Sequence, residues 1–192
     1  TPMAVRRMLQ ILEEKGAIFT LTRDALNLMT GVTTSGEIER VTSFEPLEDL
    51  YTIVDGRVVQ DQERDDAALI LNFPEGLVIL TGCCHSGIVN TMMHAKRMTG
   101  VDKIHAVIGG LHLYDASQEK VEKSIEALRE VEWVFVGHCT GFDAMRRMAD
   151  ILGDRFSPIY SGMVLHLPVR GDSPSVSTIP NPIKMKYFRS LG

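Results

Sequence analysis

Long hydrophobic runs are missing from this sequence. The longest apolar stretches, such as residues 77–80 and 134–136, fall far short of the roughly 20 residues that a membrane-spanning helix needs. Near the start, Arg6 and Arg7 are not followed by the apolar core of a signal peptide, because charged residues at 13–15 interrupt it. We therefore expect a cytoplasmic protein with no membrane partner.

Cysteine and positive charge are also scarce. Three cysteines, two of them adjacent, do not form a disulfide framework, so reduced thiols are expected. A bridge between Cys83 and Cys84 is disfavoured further, because adjacent cysteines strain the geometry of a disulfide. Lys and Arg number 20 against 25 Asp and Glu, a formal net charge of -5, whereas nucleic-acid binding favours a basic surface. A small-molecule substrate fits this composition better.

The composition that remains is that of a globular domain. With 192 residues, 44% of them hydrophobic, the chain is long enough to bury one sizeable core. Apolar residues at helical spacing predict a helix over 3–15, and an Asp-Gly dipeptide between two β-branched runs predicts a β-hairpin over 51–60. The pattern from 17 to 48 is weak and indicates strands only near 17–21 and 38–42.

The second half of the chain alternates between strands and helices. Its pattern predicts strands at 67–72, 76–81, 103–109 and 132–137, and helices at 86–98, 117–131 and 142–152. The strands are apolar throughout, which is typical of a sheet covered on both faces. Only the tail from residue 169 has a loop-like composition. Its basic residues are either solvated or bind an anion: Lys184, Lys186 and Arg189.

Three of the six histidines follow predicted strand ends. His85, His112 and His138 each lie just past a glycine, and they are spaced 27 and 26 residues apart, about one strand-helix unit. Because ligands bind beyond the carboxyl ends of the strands in open α/β sheets, we expect these side chains to converge. Imidazole and the thiolate of Cys83 are preferred ligands of zinc and related ions. The pattern therefore predicts a transition-metal site.

Each of these residues also has a structural explanation. A lone histidine after a strand is more often a hydrogen-bonded or packing residue than a ligand. Free cysteines are commonly small buried residues, which applies to Cys83, Cys84 and Cys139. The remaining histidines are expected to be structural: His94, His105 and His166. Several polar residues are available to orient the imidazoles, although surface exposure is the alternative for each: Asp65, Asp66, Ser86, Thr140 and Asp143.

Three segments together carry a resemblance to a known family. GLVILTGCCHSGIVNT, AVIGGLHLYDAS and VGHCTGFDA resemble the second half of the metallo-β-lactamase superfamily, in the branch of the dihydropterin-ribofuranosylaminobenzene phosphate synthases. The resemblance covers about residues 15–167, and its motifs are specific as a set. It implies an α/β protein with the αββα sandwich of that superfamily and a one- or two-metal site at one edge of the sheets.

The resemblance also implies roles for four residues. His85 and His138 match histidine metal ligands, and Cys83 stands where many members place a bridging aspartate. His112 matches the histidine of GGxHL, which either binds metal or faces the substrate, and we take it as the catalytic candidate. The implied cofactor is a divalent metal, zinc first, with iron and manganese as alternatives.

One departure from the family pattern is large. The HxHxDH motif, which supplies most ligands of the first metal in the superfamily, does not occur in these 192 residues. We therefore expect an N-terminally incomplete αββα sandwich, with a partial metallo-β-lactamase-like domain over 1–168 and a C-terminal extension over 169–192. A partial sandwich exposes apolar surface, so a homo-oligomer or a complementing N-terminal segment is the expected partner.

Two functions remain open from the sequence. The first is a metal-dependent hydrolase or transferase acting on a phosphate-bearing small metabolite, with a pterin-related compound implied by the resemblance. In that case we expect the 192-residue chain alone to hold at most one weakly bound ion and to be inactive. The second is a catalytically inactive metal-binding or association module that lacks the HxHxDH half of the site.

Overall fold

A seven-stranded mixed sheet with three helices packed against it forms the centre of the molecule. The computed structural model describes residues 3–167 and 174–178. Its helices are α1 (Met3–Glu14), α2 (Ile88–Thr99), α3 (Gln118–Leu128) and α4 (Phe142–Leu152). Its strands are β1 (Asn27–Met29), β2 (Val32–Thr34), β3 (Tyr51–Val54), β4 (Arg57–Gln60), β5 (Ala68–Phe73), β6 (Gly76–Thr81), β7 (Ile104–Gly110), β8 (Trp133–Gly137), β9 (Phe156–Pro158), β10 (Met163–His166) and β11 (Ser175–Thr178).

The strand order of the sheet separates an antiparallel half from a parallel half. The order is β1-β2-β5-β6-β7-β8-β9; β1, β2, β5 and β6 run antiparallel to their neighbours, while β6, β7, β8 and β9 run parallel. The three helices α2, α3 and α4 connect the successive parallel strands, as parallel pairing requires. The carboxyl ends of β6, β7 and β8 therefore lie along one edge of the sheet.

One hydrophobic core lies between this sheet and its helices. Each parallel strand sends alternate apolar residues towards the helices, and the helices bury their apolar faces against them. The largest fully buried members include Leu77 and Ile79 from β6, Ile88 from α2, Ile125 and Leu128 from α3 and Met148 from α4. Burying each such side chain contributes about 1.5–3 kcal/mol. The strands that carry the three histidines are thus among the most firmly fixed elements.

Most elements predicted from the sequence are confirmed, with shifted ends. The hairpin over 51–60 forms as β3 and β4, and its turn places Asp55 and Gly56 at φ of 50° and 74°. The predicted strands and helices from residue 67 to 152 are all present, although the third helix ends at Leu128 rather than at 131. The basic residues of the tail lie outside the described residues.

The predicted strands near 17–21 and 38–42 are wrong. Residues 17–21 are exposed and have no sheet to pack on; Ile18 is 93% exposed. In 38–42, the N–H groups of Val41 and Thr42 donate to Oδ1 of Asn90, at 2.8 and 3.0 Å. A side chain of α2 thus satisfies backbone donors that a neighbouring strand would otherwise satisfy. The sheet is instead extended by the short strands β1 and β2.

A buried carboxylate closes the N-terminus of α2. Glu45, only 1% exposed, accepts the N–H of Val89 through Oε1 and the N–H of Asn90 through Oε2, each at 2.9 Å. These are two of the donors that a helix leaves without partners at its start. Gly87 precedes the helix at a φ of 88°, and a Cβ there would collide with the Glu45 carboxylate. The contact fixes the loop that carries His85.

We expect Glu45→Gln to destabilise the protein by about 1–3 kcal/mol, because the amide NH₂ cannot accept a hydrogen bond and leaves a buried donor unpaired. Urea denaturation followed by circular dichroism measures the change. Glu39→Gln is the matched control, because Glu39 forms an exposed ion pair with Arg97 at 2.9 Å, a class worth about 0–1 kcal/mol. Equal effects of the two substitutions would contradict the assigned role of Glu45.

Candidate metal site

The turns after β6, β7 and β8 share an unusual backbone conformation. Cys84, His112 and His138 have positive φ angles of 65°, 44° and 53°. Such conformations cost non-glycine residues about 1 kcal/mol or more, and they cluster at functional sites. In the first turn Cys84 points inward and is buried, whereas Cys83 and His85 on either side of it remain partly exposed. Three strained turns therefore present side chains at one sheet edge.

The first group of side chains consists of Glu48, His85 and His112. Oε1 of Glu48 lies 3.0 Å from Nδ1 of His85 and 2.9 Å from Nε2 of His112. The two imidazole rings have centroids 4.3 Å apart, and their planes are tilted by 40° to each other. One ligand atom from each residue fits within a span of 4.8 Å. The three residues can therefore contribute to the binding of a single ion.

The second group consists of Cys83, His138 and Cys139. Sγ of Cys83 lies 3.1 Å from Nε2 of His138, and the thiol of Cys139 donates to the carbonyl of Cys83 at 3.3 Å. Their ligand atoms also lie within 4.8 Å of one another. Gly110 leaves the space for this group, because a Cβ there would stand 2.9 Å from Sγ of Cys139.

The three histidines are thus divided between two neighbouring groups. The sequence predicts that His85, His112 and His138 converge on one site. In the structure His85 and His112 share Glu48, whereas His138 contacts Cys83. Cys84, which lies between Cys83 and His85, has a left-handed backbone conformation that turns the chain. Its two neighbours therefore belong to different groups.

Burial shifts the pKa of three side chains in and beside these groups. It lowers the pKa of His112, although the Glu48 carboxylate acts in the opposite direction. Nδ1 of His112 is buried and has no hydrogen-bond partner among the described residues. Burial also raises the pKa of Cys139 to about 11, and it raises the pKa of the enclosed Cys84 thiol above its usual range. A bound cation would offset this cost for Cys139 by favouring the thiolate.

A buried ion pair holds Glu48 in place. The backbone N–H of Glu48 donates to Oε1 of Glu63 at 3.2 Å. Arg40 pairs with Glu63 and donates from Nη1 to the carbonyl of His85 at 2.9 Å. Burial raises the pKa of Glu63, with Arg40 opposing the rise. One guanidinium thereby joins the segment of Glu48 to the loop of His85.

Sequence reasoning missed two members of these groups. Glu48 lies in an irregular segment whose sequence, FEPLEDL, carries several carboxylates and no period that distinguishes one from another. Cys139 directly follows His138, and we interpreted it as a small buried residue, but it is partly exposed. Asp66 and Thr140, candidates for orienting imidazoles, instead accept the backbone N–H groups of Ser86 and Leu111.

Two of the other three histidines have polar partners outside the candidate site. His94 contacts the carbonyl of Ser35 at 3.0 Å through Nε2, and buried His105 contacts Glu132 at 3.2 Å through Nδ1. His166 lies on β10 and is exposed. None of the three belongs to a group of metal-ligand type within the described residues.

Two open cavities flank the loop of His85. One, of about 410 Å³, is lined by Asp61, Glu63, Asp65, Asp66, Cys83 and His85, among others. The other, of about 470 Å³, is lined by Glu48, His85, His112, Tyr114, Ser117 and Lys120, among others. Volumes of this size are typical of small-molecule sites. Glu48, Cys83, His85 and His112 therefore lie where a small substrate has access to them.

The donor atoms fit a divalent transition ion. Imidazole nitrogen, thiolate sulfur and carboxylate oxygen are the ligands that zinc takes in proteins. Iron and manganese also accept imidazole and carboxylate, the donors of the first group.

Two comparisons with known proteins bear on the family and the fold of the chain. The chain is 37% identical over 160 residues to the 7,8-dihydropterin-6-methyl-4-(β-D-ribofuranosyl)-aminobenzene-5'-phosphate synthase of Methanocaldococcus jannaschii, covering 80% of this chain and 54% of that protein. The crystal structure of a metal-dependent hydrolase of the β-lactamase superfamily superposes with a TM-score of 0.67 at 26% identity, covering 76% of this chain and 57% of the other. The chain belongs to the metallo-β-lactamase superfamily.

Each match covers a larger share of this chain than of the protein to which it is compared. A second protein of M. jannaschii, of uncharacterized function, is 28% identical over 138 residues, which are 71% of this chain and 51% of that protein. This metallo-β-lactamase superfamily chain thus spans about half the length of the curated relatives it matches. No known protein-family profile matches it. No helix in the described part of the chain is long and apolar enough to cross a membrane.

The different environments of the three thiols predict different reactivities. In the native, metal-free protein we expect Cys83 to react first with a maleimide, Cys139 more slowly because burial raises its pKa to about 11, and Cys84 last because it is only 2% exposed. Mass spectrometry of digested samples measures the order. In denaturant without reductant all three should react, and modification of native Cys84 ahead of Cys83 would contradict the described turn.

Proposed function

We propose that this protein acts as a metal-dependent hydrolase or transferase on a phosphate-bearing small metabolite. The observation that carries the proposal is the presence of two neighbouring groups of ligand type, each with its ligand atoms within 4.8 Å, at the edge where β6, β7 and β8 end. Ligand sites in open α/β sheets lie beyond this edge. Two open cavities at the same place give a substrate room to bind.

The donor chemistry of the two groups favours a divalent metal, zinc first. Cys83, His138 and Cys139 provide two sulfurs and one nitrogen, the softer set, which suits zinc. The group of Glu48, His85 and His112 is harder and also suits iron or manganese. When bound, such an ion acidifies a water molecule and polarises a phosphoryl oxygen.

Glu48 organises the harder group. Oε1 of Glu48 contacts Nδ1 of His85 and Nε2 of His112, so it fixes the orientation of both rings. These three convergent atoms are the ones that would hold an ion. Burial lowers the pKa of His112, which favours the neutral imidazole, and this residue would either bind the metal or face the substrate.

A phosphate-bearing substrate is supported by similarity alone. The relative with 37% identity is a synthase whose name includes a ribofuranosyl 5'-phosphate and a dihydropterin. For this chain we propose only that the substrate carries a phosphate group. A pterin-related compound is the first substrate to test. One superfamily fold hosts many reactions, so the substrate has to be found by experiment.

Metal binding is the first test of this proposal. We expect zinc titration of the chain against a chromophoric chelator to show binding that His85→Ala and His138→Ala each weaken by about 100-fold or more, because each loses a ligand that its neighbours cannot replace. His166→Ala is the matched control, since exposed His166 belongs to neither group. Wild-type affinity in both site variants would contradict the assignment of ligands.

The stoichiometry of the same titration separates one shared site from two. If the groups bind separate ions, His138→Ala should remove only the equivalent that Cys83→Ser also removes, while His85→Ala removes the other. Assays of the metal-loaded protein with phosphomonoesters and phosphodiesters then test the chemistry. Turnover of either class would support the proposed enzyme, whereas metal binding without turnover is the result that both functions predict for these 192 residues alone.

A further inference from the structure

Lys120 is a buried lysine without a protein partner. It is 7% exposed, and its Nζ forms no salt bridge or hydrogen bond within the part of the chain that the structure describes. Lysine is almost never buried this far unless it is paired. Lys123, one turn later on the same helix, shows the usual arrangement: it is exposed and pairs with Glu119 at 2.8 Å. Nζ of Lys120 is not among the fully buried atoms without a partner, so its stem is buried while the ammonium reaches the cavity that the residue lines.

The position of Lys120 directs it to the candidate site. Its side chain lines the 470 Å³ cavity that His85 and His112 also line. The residue sits in the first turn of α3, where the cap residue Ser117 accepts the Lys120 N–H at 3.2 Å and lines the same cavity. A helix N-terminus carries roughly half a positive charge and favours anions. Amine and helix terminus thus act together on one wall.

The same cavity also carries negative charge. Glu48 and Asp49 line it, with Glu48 held between the two imidazoles and Asp49 accepting the hydroxyl of Tyr51 at 2.7 Å. Asp115 lines it as well, next to Tyr114. No ion pair joins any of these carboxylates to Lys120 within the described residues. Lys120 and the first turn of α3 are the cationic part of the lining, so an anionic ligand is expected there.

The remaining lining suits an organic group attached to that anion. Pro46, Leu47 and Leu50 provide apolar surface, and the exposed ring of Tyr114 stands edge-on to His112 at 5.4 Å. A phosphate ester of an aromatic or sugar compound matches such a cavity, with its phosphate at the charged wall and its body against the apolar one.

We propose that Lys120 and the N-terminus of α3 form the subsite that binds the phosphate group of the substrate, beside the Glu48, His85 and His112 group. This inference rests on the proposed function, because it names the residue that would select a phosphomonoester. The ammonium supplies charge-assisted hydrogen bonds to the phosphate oxygens, and the phosphate in turn supplies the counter-charge that Lys120 lacks.

The test measures phosphate binding without metal. Chelator-treated protein is titrated with inorganic phosphate at pH 8 and constant ionic strength, and binding is followed by amide shifts in ¹H-¹⁵N spectra. We expect Lys120→Met to weaken phosphate binding by about 10- to 100-fold and Lys120→Arg to retain most of it. Lys123→Met, the matched control on the same helix, should bind like the wild type.

Further readouts keep the test decisive. If Lys120→Met does not fold, the wild-type spectra still locate the site: the largest shifts should fall on residues 117–120, and shifts confined to the loop of Cys83 would overturn the inference. So would equal losses in Lys120→Met and Lys123→Met, unchanged binding in Lys120→Met, or competition by acetate as effective as that by phosphate.

Zinc titration of the same proteins separates this inference from the proposed function. Lys120→Met should bind zinc with wild-type affinity, because Lys120 belongs to neither ligand group. If the protein binds zinc and Lys120→Met does not change phosphate binding, the subsite is wrong and the proposed function is not affected. Phosphate binding that depends on Lys120 in a chain without zinc affinity supports the subsite and contradicts the metal-dependent enzyme.

Discussion

The buried carboxylate of Glu45 is the contact on which the candidate site depends. Its two oxygens accept N–H groups at the start of α2, and Asn90 of that helix in turn holds residues 41 and 42. An irregular segment with little regular secondary structure is thereby attached to the most buried part of the sheet. Glu48, three residues further along, gains a fixed position from this attachment and from the Arg40–Glu63 pair.

The site combines a rigid support with strained turns. Parallel strands packed under three helices hold the turn residues Cys84, His112 and His138 in left-handed conformations that isolated peptides would avoid. The free-energy cost of these conformations is small compared with the stabilisation gained by burying the strands that precede the turns. The turn conformation determines which side chains point inward, and it separates the thiol group from the carboxylate group.

Groups of both charges line the cavity between these turns and α3. Carboxylates and imidazoles, which bind cations, occur there together with the amine of Lys120 and the N-terminus of α3. A metal and a phosphate ester carry opposite charges and would each meet complementary groups.

The sequence by itself determined the alternating strands and helices from residue 67 onward, because continuous apolar runs and 3.6-residue periods are local signals. It also determined that His85, His112 and His138 follow strand ends, and the motifs around them identified the superfamily. Only the tertiary structure decided that Glu48 joins His85 and His112, that Cys139 joins His138, and that the backbone of Val41 bonds to Asn90 rather than to a strand. These contacts connect residues 37 to 64 positions apart or depend on the φ of single turn residues, and no local pattern encodes either property.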